Sequence, residues 1–270
     1  MTIGAAVPDD PRGYGTDRPR GAALASPVLA AFDRRRLRML RAVSPPPGAL
    51  LDAGAGRGRF VRAARDAGYD ACGIEPSPGA VAAARAVYGV ELAAAGIGDA
   101  DVAAGSLDAV ALWHVLEHLE DPEAGLGAAA GWLRPGGTLL VGVPNLASVQ
   151  ARLGGDRWFH LDVPRHRTHF TPAGLRALLE RSGFEVVAEH HVLAEHNPFG
   201  MWQTLVNRLT TEPSWLFRAL QREARVTPRD ALVTLLALPL VPVAALAELA
   251  AGLARRGGTI AVVARLRAPG

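Results

Sequence analysis

Leu51-Asp52-Ala53-Gly54-Ala55-Gly56-Arg57-Gly58 joins a short apolar run that begins at Ala49 to a helical pattern that begins at Arg59. Glycines in such a strand-to-helix bend can adopt left-handed backbone angles. They also leave only main chain between a ligand and the N–H groups that collect at a helix N-terminus. Here they are spaced G-x-G-x-G. The dinucleotide fingerprint requires G-x-G-x-x-G, and Arg59 occupies the place of its third glycine, so a nicotinamide-dependent oxidoreductase is the weaker enzyme reading.

Outward from the bend, two carboxylates frame it. Asp52 precedes the glycines, where it can meet a cationic ligand end through charge-assisted bonds. Glu75 closes the next expected strand, 23 residues further on, where an acidic side chain can accept two ribose hydroxyls. Around them, apolar runs and helical patterns alternate as in an α/β fold with a mostly parallel sheet. Seven strands are expected: 49–53, 71–75, 91–94, 109–113, 138–143, 184–190 and 259–265. Helices are expected over 59–67, 78–88, 122–133 and 172–182, the last capped by Thr171. A further helix over 26–43 has Ser26 as its expected N-cap and Pro27 in its first turn.

The four segments Leu51 to Gly58, Gly73-Ile74-Glu75-Pro76-Ser77, Trp113-His114-Val115-Leu116-Glu117-His118-Leu119 and Leu133-Arg134-Pro135-Gly136-Gly137 together resemble the class I S-adenosylmethionine-dependent methyltransferases. The likeness is to the branch (methyltransferase domain type 23) that includes ubiquinone-biosynthesis O-methyltransferases and methyltransferases of natural-product and polysaccharide pathways. It covers residues 49–192, and again 258–265 as the antiparallel last strand. The resemblance implies a seven-stranded Rossmann-like sheet with S-adenosylmethionine as cofactor. It implies that Asp52, Ala53, Gly54, Gly56 and Gly58 line the methionine part, that Glu75 holds the ribose, and that Pro76, Ile97 and Trp113 border the adenine. Near Gly98, where the branch often has an acidic residue, adenine recognition falls to Asp99 or to backbone groups.

His114, Glu117 and His118 follow the fourth expected strand, at the carboxyl edge of the sheet where open α/β folds bind ligands. An imidazole there can take the proton of an acceptor hydroxyl, a contribution of about 10² to 10⁴ in rate, while a neighbouring carboxylate fixes its tautomer. His118, His114 and His166 are the candidate bases in that order, with Glu117 as orienter. Some relatives bind a divalent metal at the equivalent of this segment. Here His114 replaces their first glutamate, and the expectation is no metal, with these side chains contacting cofactor and substrate. The loop 158–170 carries His160, His166 and His169 and is read either as substrate-facing or as a loop held by Arg165–Asp162 pairing; Asn145 is a further candidate contact.

Between Pro198 and Arg256 the alternation breaks, and about sixty residues intervene before the final strand. A helical part is expected over 201–225 and a very apolar part over 231–253. Length alone would let the second part cross a bilayer, but Pro239, Pro242 and Glu248 speak against that. The readings open to it are a lid over a greasy substrate, a partner or homodimer surface, a peripheral contact with the membrane surface, or ordinary core closure. The expected division is a tail over 1–25, a cofactor-binding core over 26–197, the helical insertion over 198–256, and the final strand and tail over 257–270.

Composition narrows the function classes. Hydrophobic residues make up 49% and charged residues 20% of the chain, which is a folded globular balance. The net charge of +3 is small, every basic residue is arginine, and no aromatics interleave with them, so no nucleic acid partner is expected. The single Cys72 excludes a disulfide framework, and no apolar leader opens the chain, so a cytoplasmic setting is expected. The combined reading is an enzyme that O-methylates a small-molecule or lipid-linked acceptor. A methyltransferase-like scaffold without catalysis is the non-enzymatic alternative.

Overall fold

A computed structural model describes residues 22–195, 197–220, 225 and 227–268. Six strands, β1 (Ala49–Ala53), β2 (Asp70–Ile74), β3 (Leu107–Trp113), β4 (Leu133–Pro144), β5 (Phe184–His190) and β6 (Thr259–Leu266), form one sheet in the order β2-β1-β3-β4-β6-β5. β1 runs parallel to β2 and to β3, with Asp52 opposite Gly73 on one side and Ala111 on the other. β6 pairs antiparallel with β5. This is the mostly parallel Rossmann-like sheet with an antiparallel last strand that the sequence implies.

Burial follows each strand's place. β3 and β6 read as nearly unbroken apolar runs, and their side chains are buried on both faces, as inner strands require. β5 is last in the order. It alternates charged and apolar residues, and Val187 is 48% exposed, as expected of a sheet edge.

The chain divides into two compact units. The first comprises residues 1–111 and 131–138, the second residues 112–130 and 139–270. In the first, α1 (Ala22–Arg41), α2 (Arg59–Asp66) and α3 (Pro78–Tyr88) accompany β1, β2 and most of β3. Ser77 caps α3 by accepting from the Ala80 N–H, with Pro78 in the first turn. The second unit holds most of α4 (Pro122–Trp132), then α5 (Val149–Gly154), α6 (Pro172–Arg181), α7 (Asn197–Val206), α8 (Trp215–Leu220), α9 (Pro228–Ala237) and α10 (Val241–Leu253). Thr171 caps α6 as expected, through the Gly174 N–H.

Three expectations need correction. The strand expected over 91–94 shrinks to one parallel bridge between Ile74 and Ala93, leaving six strands where seven were expected. The segment that follows is rich in Ala and Gly, which are poor strand formers. Second, α1 already runs at Ala22, so Ser26 is not its cap and Pro27 lies inside the helix. Ala22, Ala23 and Ala25 are strong helix formers, and a proline so near the start removes only one early hydrogen bond. The tail expected over 1–25 lies outside the described residues up to residue 21.

The third correction concerns the insertion. Its first part divides into α7 and α8 instead of one polar helix over 201–225, and residues 221–224 and 226 fall outside the description. α7 belongs to the insertion's own buried cluster, in which Met201, Trp202 and Val206 pack with Ala237 and Ala244. Glu248 of α10 is 3% exposed and accepts from Gln150 Nε2 at 2.7 Å and from the Gly258 N–H at 2.7 Å, tying α10 to α5 and to the start of β6. Glu248→Ala leaves the buried Gly258 N–H unpaired and takes one of two acceptors from Gln150 Nε2, which keeps the Asn197 carbonyl. It should cost about 1 to 3 kcal/mol in urea denaturation, whereas Leu246→Ala, on the exposed side of α10, should change stability by less than about 0.5 kcal/mol.

Candidate active site

In the first unit the bend after β1 is built as its sequence demands. Gly54, Gly56 and Gly58 have φ of 81°, 54° and 75°, a region that side chains disfavour. A Cβ on Gly58 would lie 3.1 Å from that of Ala84, so the glycine also allows α2 to approach α3. The N–H groups of Gly54 and Ala55 both reach the Ile74 carbonyl, at 2.9 and 3.0 Å. Glu75, fully buried, receives the Gly56 N–H at 2.9 Å on one carboxylate oxygen and the Ser77 N–H at 3.0 Å on the other. Gly73 lies beneath the bend, with room for no side chain between Leu92, Ala55 and Val61.

Asp52 is 4% exposed, and among the described residues its carboxylate makes no hydrogen bond. Burial pushes its carboxyl up to about 7; Arg36 and Arg59 pull it down, and Asp33 and Glu75 push it further up. Asp33 and Arg59 form an ion pair at 2.7 Å, and Arg36 lies over the Phe60 ring at 5.7 Å. The sequence reading missed this contribution from α1. A buried carboxylate beside an open glycine bend suits the ammonium group of a bound amino acid. Pro76 is exposed between Glu75 and Ser77, and Ile97 is half-buried in the irregular stretch before β3.

The second unit gathers the expected histidines. Trp113 ends β3 with its ring against Gly142, where a Cβ would come within 2.7 Å of the indole. His114 has φ 54°, uncommon for a residue with a side chain and often found where backbone strain serves a site. Its Nδ1 lies 3.0 Å from Glu117 Oε1. Glu117 is 1% exposed, its Oε2 has no hydrogen-bond partner, and its main-chain carbonyl accepts from Arg167 and Thr168. Burial pushes its carboxyl above the usual range, offset in part by His118, His166 and His169.

The loop 158–170 fixes the imidazoles. His118 Nδ1 donates to the Arg165 carbonyl at 3.0 Å, and His166 Nδ1 to the His160 carbonyl at 2.7 Å, which leaves each Nε2 with its lone pair. The two rings meet edge to face at 4.7 Å. Burial also pushes His166 below the usual imidazole range, which favours the neutral ring. Arg165 grips Asp162 through Nε and Nη2, at 3.0 and 2.9 Å, the pairing expected of a loop held in this way. His169 is spent on the Leu161 carbonyl through Nε2. Asn145 is structural too. Its amide donates to the Gly257 carbonyl and its oxygen accepts from the Ala147 N–H.

Ligand atoms of Glu117, His118 and His166 lie within 4.8 Å of one another, so these three residues, and not the sequence neighbours His114, Glu117 and His118, are the set that could hold a divalent metal. The signal for His166 was its place in a loop; nothing in spacing could pair it with Glu117.

The profile of a methyltransferase-domain family matches residues 24–189. The chain belongs to this family. It is an S-adenosylmethionine-dependent methyltransferase, with S-adenosylmethionine as its cofactor. It is 31% identical over 171 residues to a ubiquinone biosynthesis O-methyltransferase of Xanthomonas axonopodis pv. citri (strain 306), covering 58% of this chain and 72% of the relative. It is also 31% identical over 138 residues to a probable S-adenosylmethionine-dependent methyltransferase of Mycolicibacterium smegmatis (strain ATCC 700084 / mc(2)155), covering 51% of this chain and 52% of that protein. Among solved structures, a possible histamine N-methyltransferase from Thermotoga maritima superposes with a TM-score of 0.55 at 17% identity, covering 92% of this chain and 93% of the other. A [4+2]-cyclase superposes with a TM-score of 0.56 at 18% identity, covering 94% and 97%. These two likenesses concern the fold, and the cyclase carries the reminder that the fold alone does not set the reaction.

The raised Asp52 carboxyl has a measurable sign. The native state holds a proton that the unfolded state releases between about pH 4 and pH 7, so Asp52 lowers stability progressively as pH rises through that window. Asp52→Asn without cofactor should therefore match wild type near pH 4 and exceed it by up to about 4 kcal/mol by pH 7 to 8 in urea denaturation.

Proposed function

We propose that this methyltransferase O-methylates a hydroxyl group of a small or lipid-linked metabolite, with a histidine as general base. The observation that carries the reading is the pair of Nε2 lone pairs on His118 and His166 beside the buried Glu117. The printed name of the Xanthomonas relative, a ubiquinone biosynthesis O-methyltransferase, supports a hydroxyl acceptor on a lipid-like molecule and a place in natural-product metabolism. A single exposed cysteine suits the cytoplasm.

S-adenosylmethionine supplies an electrophilic sulfonium methyl group, taken in line by the acceptor oxygen while the carbon–sulfur electron pair returns to sulfur. In the proposed binding mode Asp52 meets the ammonium end, the main chain from Ala53 through Gly54, Gly56 and Gly58 passes close to the methionine part, and Glu75 accepts the ribose hydroxyls. Pro76, Ile97 and Trp113 border the adenine. The acceptor's proton passes to Nε2 of His118, with His166 and His114 as the further candidates. The Arg165 carbonyl holds His118 in the tautomer able to receive it. Glu117 orients His114 through Nδ1 and balances the imidazolium charge. Residues 198–256 are proposed to be a separate insertion on the catalytic core of 26–197, which leaves the chemistry to the latter.

Calorimetry with S-adenosylhomocysteine tests the cofactor half. Glu75→Gln should weaken binding about 10- to 100-fold when measured below its melting transition, and it should also lower the melting temperature, because its amide nitrogen cannot accept from the Gly56 or the Ser77 N–H; unchanged affinity would remove Glu75 from the ribose. For the base, turnover on a hydroxylated acceptor found by screening should fall about 100-fold or more in His118→Ala, with S-adenosylhomocysteine affinity within a few-fold of wild type. Histidine base catalysis fails if His118→Ala, His114→Ala and His166→Ala all stay within a few-fold. It is replaced by metal assistance if a chelator abolishes turnover and a divalent ion restores it.

A further inference from the structure

The helical pair α9 and α10 is built inside out. Its buried side carries small residues, Ala237, Ala244, Ala251 and Gly252, together with Asp230 and Glu248, the only two carboxylates between Pro228 and Leu253. Both carboxylates are occupied within the fold. Asp230 is held by Thr211 and Thr227, and Glu248 by Gln150 and the Gly258 N–H. The large side chains point the other way. Leu232, Leu235, Leu236, Val243, Leu246 and Leu253 are each 55 to 71% exposed. Six large apolar side chains exposed along one helical stretch mark a surface that something covers.

We infer that the exposed apolar face of α9 and α10 docks the enzyme onto the surface of an anionic lipid bilayer. Charge decides among occupants. Among the described residues the face has no exposed carboxylate, and arginines stand at both ends of it: Arg225 and Arg229 before α9 and at its start, and Arg256 just past α10, next to Arg255, which pairs with Glu189. A second copy docking through the same face would bring guanidinium against guanidinium in either orientation of the helices. Phosphate headgroups answer the arginines at both ends, and the acyl region receives the leucines between them.

The segment 228–253 is long and apolar enough to cross a membrane, with a mean hydropathy of 2.2 over its most apolar 18 residues. The structure argues against a crossing. Trp202 Nε1 donates to the Ala237 carbonyl at 2.8 Å, Ala237 and Ala244 pack on α7, and Asp230 and Glu248 bond inward, so one side of the pair belongs to the protein core. Only the other side is available to lipid, which is the arrangement of an interfacial helix pair lying in the membrane plane. Arg152 and Arg256 also line a cavity of about 800 Å³ walled by Leu146, Leu153 and Leu161, which places basic groups and apolar surface together again in the same unit.

The inference stands apart from the acceptor and from the catalytic base, and its test needs neither. Purified full-length protein is sedimented with vesicles of phosphatidylcholine alone and of phosphatidylcholine mixed with phosphatidylglycerol. Binding is expected to the anionic vesicles, weakened by salt, and much weaker to neutral ones. Leu236→Glu with Leu246→Glu should reduce binding about tenfold or more, and Arg225→Gln, Arg229→Gln and Arg256→Gln about fivefold each. Val28→Glu, a 54% exposed residue of α1, should leave binding unchanged. Equal melting temperatures and equal S-adenosylhomocysteine affinity establish that the variants are folded. The inference is overturned if wild type ignores anionic vesicles, if the leucine variants still bind as wild type does, or if ultracentrifugation shows a dimer that Leu236→Glu dissolves while vesicles are not bound.

Discussion

The first unit depends on one buried carboxylate that two backbone amides share. Glu75 receives the Gly56 and Ser77 N–H groups, one on each oxygen, and so locks the bend after β1 to the start of α3. Each oxygen of a carboxylate accepts more than one hydrogen bond, so a group already fixing the loop can also face a ligand. The left-handed glycines, the missing side chain at Gly73 and the close approach of α2 to α3 at Gly58 all serve the same end. They bring main chain where side chains would otherwise stand. Asp52, whose carboxylate makes no hydrogen bond among the described residues, is the counterpart: its charge is costly where it lies.

The second unit solves a different problem, the orientation of imidazoles. Each of His118, His166 and His169 gives one ring nitrogen to a main-chain carbonyl of the loop 158–170. Main-chain carbonyls only accept, so in each neutral ring the nitrogen bonded to the carbonyl is the one that carries the proton. Glu117 is buried among these rings with one oxygen unpartnered, which concentrates proton affinity at a single place. The unusual backbone at His114 belongs to the same arrangement, since it aims that ring at Glu117 in the first turn after β3.

Much of this was legible in the sequence because it is local. The glycine bend, the strand ends at Asp52 and Glu75, and helix caps such as Thr171 depend on neighbours within a few residues. What escaped has long-range causes. The encounter of Glu117 with His166 joins segments nearly fifty residues apart, and the electrostatic surroundings of Asp52 come from Asp33 and Arg36 on α1. In the insertion, composition marked 231–253 as very apolar but could not say that its leucines face outward while two carboxylates occupy the inner side. The absent strand near Ala93 failed for a smaller reason, the weak strand preference of alanine and glycine.

The chain passes between its two units at Ala111–Leu112, at Ala130–Gly131 and again at Thr138–Leu139, so neither unit is a contiguous piece. β3 begins in one and ends in the other, and so does β4. A single cut therefore frees neither half intact: a fragment ending at residue 111 would leave β3 without its last two residues and lack β4 altogether.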